Sequence, residues 1–118
     1  MPLIQVDLSR ELFDASHDAI GDAIHEAQIE ALGIPADDRF QVFRPHGPGE
    51  LKFDPTYNDV DRRSLLLIRV TAVHMYPAAT KQAFFRAVVD KLEPFGIRRE
   101  DVLISLVENG FEDWWAGR

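Results

Sequence analysis

The segment Leu32-Gly33-Ile34-Pro35-Ala36-Asp37-Asp38 returns in outline as Phe95-Gly96-Ile97-Arg98-Arg99-Glu100-Asp101. In both copies an apolar residue leads into glycine, isoleucine follows, and an aspartate closes the segment. Glycine just beyond an apolar periodic run is the residue that ends a helix in the left-handed conformation. Upstream of the first copy, Phe13, Ile20, Ile24, Ala27 and Ala31 recur at helical spacing, and Asp14, Asp18, Asp22, His25, Glu26 and Glu30 cover the other side. That spacing predicts an amphipathic helix over about 12–32, with Ser9 and Asp14 as cap-type residues before it. Upstream of the second copy, Pro77 opens a helix with Phe84, Phe85, Val88, Val89 and Leu92 as its apolar positions, and Pro94 and Gly96 end it.

Strand patterns flank both helices. Leu3 to Leu8 and Ser64 to Thr71 precede them; Arg39 to Phe43 and Val102 to Val107 follow the turns. Leu3-Ile4-Gln5-Val6 also echoes Leu67-Ile68-Arg69-Val70. The expectation is therefore an α+β (α/β) chain, one domain over 1–118, made of two β-α-β repeats at about 1–45 and 64–108. Right-handed crossovers would give a four-stranded mixed sheet carrying two helices on one face. The other face is left bare, which predicts burial by oligomerisation. Between the repeats, His46-Gly47-Pro48-Gly49 through Asp54-Pro55-Thr56-Tyr57-Asn58-Asp59 reads as an ordered loop of the length that is often functional. The tail carries both tryptophans, Trp114 and Trp115, which predicts that they cover a pocket or a neighbouring subunit.

Composition narrows the function. The 118 residues are 46% apolar and 28% charged, an ordinary globular balance. A formal net charge of -7 speaks against a nucleic-acid footprint and against an anionic membrane surface. No run approaches a membrane span, and Asp7, Arg10, Glu11 and Asp14 break any signal-like segment, so the expected location is cytoplasmic. With no cysteine there is no disulfide, no thiolate nucleophile and no cysteine-based zinc site. His17 and His25, placed on the polar helix face without a third ligand, make no metal site, and no phosphate loop or nucleotide fingerprint is present. Neither a cofactor nor a metal is expected.

The N-terminus holds the candidate chemistry. Removal of Met1 would leave Pro2 with a free secondary amine, and an α-amino group titrates at roughly 7.7–8.0, some two units below lysine. Such an amine can serve as a base or nucleophile near neutral pH. The bland alternative is a proline that merely starts a strand, where a missing N–H costs little. Pro2 opening the first strand of a duplicated β-α-β chain resembles the tautomerase superfamily, and within it the malonate semialdehyde decarboxylase branch. The resemblance extends over nearly the whole chain. It rests on Met1-Pro2-Leu3, on Gly33 through Val42, on Asp54-Pro55-Thr56-Tyr57, and on Val107-Glu108 through Asp113-Trp114.

What the resemblance implies is a homotrimer with a catalytic Pro2, an assisting Asp38, and Trp114 in the apolar wall. The decarboxylases carry arginines after the third main strand, whereas Val73-His74-Met75-Tyr76-Pro77 offers His74 and Tyr76. Neither reproduces the bidentate fork of arginine. The expected function is a cofactor-independent enzyme in which Pro2 moves a proton on a small 2-oxo or 3-oxo acid or its enol. A decarboxylase or hydratase using Pro2 and Asp38, and a non-catalytic oligomeric binding module on the same scaffold, stand as alternatives. Pro2 itself has three options: neutral base, iminium-forming nucleophile, or cationic acid.

The remaining candidates have structural readings beside their functional ones. Asp38 is also ordinary turn chemistry, with Asp101 as its copy. Arg69, in mid-strand, calls for an ion-pair partner or a substrate carboxylate. His74 and Tyr76 are the residues expected to distinguish the substrate, Tyr76 doubling as a staple for the helix after Pro77. Arg39, Arg62 and Arg63 read as surface charges, one of the latter two being a possible carboxylate grip, and His46 reads as a turn residue.

Overall fold

A computed structural model describes all residues, 1–118. The chain runs β1 (Leu3–Ser9), α1 (Arg10–Leu32), β2 (Gln41–His46), β3 (Leu66–Val73), α2 (Ala78–Leu92) and β4 (Val102–Asn109). The strands form one sheet in the order β2-β1-β3-β4. Pairing is parallel inside each repeat and antiparallel between β1 and β3, where the repeats meet. This is the expected duplicated β-α-β plan with a mixed sheet.

Alternation along the strands decides which face the helices cover. Ile4, Val6 and Leu8 of β1 and Leu66, Ile68 and Val70 of β3 are wholly buried, and they pack with Ile20, Ile24 and Ala27 of α1 and Phe84, Val88 and Leu92 of α2. Truncating Phe84 to alanine would cost about 3–5 kcal/mol at such a site. The intervening residues face the other way, and Val42, Leu103 and Val107 there are 43–52% exposed. Both turn copies end their helices through a left-handed glycine, Gly33 at φ 69° and Gly96 at φ 79°.

Bonds made outside each element set its ends. Helix α1 begins at Arg10, ahead of the expected start, because Ser9 Oγ accepts from the Leu12 amide at 3.1 Å. Strand β2 begins at Gln41 because the Arg39 amide turns back to the Asp37 carbonyl at 3.0 Å; it runs on to His46, whose side chain meets Asp7. His46 is thus a strand residue rather than a turn residue. Strand β3 starts at Leu66 because the amides of Arg63 and Ser64 are both taken by Asp101 Oδ1.

Two polar residues expected outside are inside. His25 is 7% exposed, with Nε2 2.6 Å from the Ala36 carbonyl, because the buried arc of α1 is wide enough to include Gly21, His25, Gln28 and Leu32. Arg62 is 8% exposed and donates to the carbonyls of Asp54 at 2.8 Å and Tyr57 at 3.4 Å. It is an internal strut of the loop between the repeats, not a surface charge. Arg63 and Arg39 are exposed, as expected.

Candidate active site

Pro2 is buried at the end of the sheet where β1 and β2 begin and β3 and β4 finish. Leu3 pairs with Thr71, so Pro2 comes beside Ala72, and Ala72 in turn pairs with Glu108. Pro2, Ala72 and Glu108 therefore form one row on the helix side, and Glu108 stands two strands, roughly 10 Å, from Pro2. Asp38 reaches this end from the turn leading into β2. Its Oδ2 lies 3.9 Å from the backbone nitrogen of Met1, the first nitrogen of the chain. Its own amide donates to the Pro35 carbonyl at 3.1 Å, which closes the turn.

Tyr76 follows β3 and joins this group. It packs against the core while its phenol feels the Asp38 carboxylate. Burial first, and the Asp38 charge second, push the phenol above its ordinary range. It is accordingly a protonated donor at neutral pH. His74 stands nearby but is more open; its amide donates to the Asn109 carbonyl at 2.8 Å and its imidazole pairs with Glu108. Glu108 also pairs with Lys81 from the first turn of α2. The Lys81 hydrogen bond, with a smaller contribution from His74, outweighs desolvation and holds Glu108 below the usual carboxylate range.

Apolar walls complete the region. Met1, Leu3, Phe40, Trp114, Trp115 and Ala116 line a cleft of about 300 Å³. Trp114 is anchored by its indole N–H, which donates to Asn109 Oδ1 at 2.8 Å, while Trp115 is 81% exposed. The chain's first nitrogen, the Asp38 carboxylate and the Tyr76 phenol, gathered at this end of the sheet, are groups able to move a proton. Arg69 stands apart from them. It lies on the bare sheet face in register with Gln5 and Ser105 and forms no ion pair within the subunit. The ion pair expected of it is not formed: Asp7, the acidic residue of the neighbouring strand on that face, is already held by Arg44 and His46.

Sequence reasoning gave Glu108 no role beyond its place in the resemblance and overlooked Lys81. The two are 27 residues apart and meet only because the start of α2 lies over the end of β4, which no local pattern announces. A second hollow of about 290 Å³ lies at the opposite end of the sheet, around Ser9, His46, Gly49 and Ser64. No His, Cys, Asp and Glu side chains converge there or elsewhere as a metal-ligand set.

A family model described as tautomerase enzyme matches residues 38–117. The chain belongs to the tautomerase family. It is 33% identical over 119 residues to the probable tautomerase YusQ of Bacillus subtilis, a match spanning 99% of this chain and 94% of that protein. It is likewise similar to the solved structure of a malonate semialdehyde decarboxylase determined in wild-type, mutant and inactivated forms, at 34% identity and a TM-score of 0.90 over 98% of this chain and 91% of that one. A second such decarboxylase, FG41, inhibited by 3-bromopropiolate, gives 36% identity and a TM-score of 0.86 over 98% and 89%. The tautomerase-family match begins at Asp38, so it covers Asp38, Tyr76, Glu108 and Trp114 while leaving Pro2 to the full-length relatives. This is an enzyme of the tautomerase superfamily on the decarboxylase-like branch.

Proposed function

We propose that the enzyme uses Pro2, freed by removal of Met1, as a cofactor-independent acid/base on a small 2-oxo or 3-oxo acid or its enol. The observation that carries this reading is the approach of the chain's first nitrogen, that of Met1, to Asp38 at 3.9 Å, one residue from the buried Pro2, with the Asp38 charge felt by the Tyr76 phenol. With Met1 gone the terminal amine belongs to Pro2, and the Asp38 carboxylate favours its protonated form. As the neutral amine, Pro2 takes a proton from the α-carbon of the keto form, and the resulting ammonium delivers it to the carbonyl oxygen to give the enol; ketonisation runs the same steps in reverse. Tyr76 donates to the oxygen that gains charge, and Trp114 with Phe40 excludes water from the reacting carbons. The His74 imidazole and the Lys81 ammonium, both gathered on Glu108, receive the substrate carboxylate in place of arginines.

Decarboxylation or hydration of a malonate semialdehyde-like substrate is the second reading, and similarity to two solved decarboxylases favours it. The bare face supports a homotrimer: Val42, Leu103 and Val107 are apolar and exposed there, and Arg69 awaits a partner from a neighbouring subunit or from substrate. Light scattering should then give three times 13.4 kDa.

Ultraviolet monitoring of phenylenolpyruvate ketonisation tests the central claim. Intact mass spectrometry should first show loss of Met1, and the processed protein should be active while Pro2→Ala is not. Equal rates for the two proteins, or full activity with Met1 retained, would overturn the assignment, because an amide nitrogen is no base.

A further inference from the structure

His25 is a polar side chain in a core position with one nitrogen used and one unused. Its Nε2 lies 2.6 Å from the Ala36 carbonyl, and its buried Nδ1 has no partner. A carbonyl only accepts, so Nε2 carries the hydrogen and donates. An unpaired buried nitrogen is costly, and an apolar residue of similar size would avoid the cost. The second repeat makes that choice: His25 lies eight residues before Gly33, and the residue eight before Gly96 is Val88, fully buried.

The two turns differ in what anchors them. The turn after α2 is held through its own aspartate, because Asp101 takes the amides of Arg63 and Ser64 and is paired with Arg98. The turn after α1 cannot be anchored in this way if Asp38 is to stay available at the chain's first nitrogen. Its one buried side-chain anchor is the bond from His25 to Ala36, two residues before Asp38.

We propose that His25 is a positioning residue, whose Nε2–H fixes the Ala36 carbonyl and so sets Asp38 against the Pro2 amine. The proposal rests on the Pro2–Asp38 reading above. In the processed, full-length protein the Pro2 amine is titrated by NMR of labelled proline, which requires no substrate. Asp38→Asn should lower the midpoint, since an anion that favours the ammonium has been removed. His25→Met should move it the same way by roughly half a unit to one unit, and should lower kcat more than it alters KM. His25→Gln, which keeps an N–H of similar reach, should titrate like the wild type. In the Asp38→Asn background, His25→Met should add no further shift. Should His25→Met fold poorly, His25→Asn, whose amide is too short to reach Ala36, provides the same comparison.

An amine that responds to Asp38→Asn but not to either donor-loss variant overturns the role of His25 alone. So does a His25→Met shift of undiminished size in the Asp38→Asn background. An amine indifferent to Asp38→Asn overturns the pairing itself, and the His25 proposal with it.

Discussion

The turn at 33–38 and the turn at 96–101 share a sequence outline, a left-handed glycine and a closing aspartate, yet the two aspartates do different work. Asp101 is buried and committed to its own fold, accepting from two backbone amides at 2.7 and 3.2 Å and pairing with Arg98 at 3.3 Å. Asp38 is 20% exposed and its side chain accepts no hydrogen bond; its one ion-pair neighbour is the first nitrogen of the chain, at 3.9 Å. Duplication supplied the same carboxylate twice, and only the copy free of backbone duty stands beside the chain's first nitrogen.

The strongest way to break this comparison is to neutralise each aspartate in turn. Asp38→Asn should reduce phenylenolpyruvate ketonisation by about 10²-fold, the low end of what positioned proton-transfer groups contribute. Its thermal midpoint should stay near that of the wild type, because no hydrogen bond is lost. A large loss of stability with activity retained would show that Asp38 is a turn residue like its copy. Asp101→Ala should do the reverse. It strands the amides of Arg63 and Ser64 and should destabilise by about 2–3 kcal/mol, read from denaturant unfolding, while the folded fraction keeps its activity.

These contrasts explain what the sequence disclosed and what it withheld. Helices and strands were legible because burial on one side writes a period into the chain: Ile4, Val6 and Leu8 alternate, and Ile20, Ile24, Ala27 and Ala31 follow a helical stripe. The repeat disclosed the two β-α-β units and the bare face. Element ends were not legible, since distant side chains such as Asp101 at the start of β3 determine them. His25 and Arg62 were misread as exposed because polarity is a poor guide to burial once a side chain finds a backbone carbonyl inside. Pro2, Asp38 and Tyr76 were each named from sequence and do lie together at one end of the sheet. Lys81 and Glu108 were not read as a pair, because a salt bridge between a helix start and a strand end leaves no local trace.

A third aspartate sharpens the comparison from the far end of the sheet. Burial alone would raise the carboxyl of Asp7, but hydrogen bonds from His46 at 2.7 Å and Arg44 at 3.0 Å, with their charges, hold it below its usual 3.8. A carboxyl depressed in the folded state stabilises the protein above the unfolded value and loses that contribution as pH falls through the folded one. Stability should therefore fall as the pH drops below about 4, and Asp7→Asn should flatten that acid limb in thermal melts.

The smallest effect separates two ties between α1 and the same turn. The buried His25 bonds the Ala36 carbonyl, whereas Arg39 reaches Asp22 at 2.9 Å in solvent, both side chains being 40% or more exposed. Exposed ion pairs contribute about 0–1 kcal/mol, because water screens the charges and two long side chains lose freedom. Arg39→Ala should therefore change unfolding free energy by less than about 0.5 kcal/mol and leave both activity and the Pro2 titration as they are. If it shifted that titration as much as His25→Met does, general loosening of the turn would suffice to displace Asp38. Burial of the His25 bond would then not be what distinguishes the first turn from its copy.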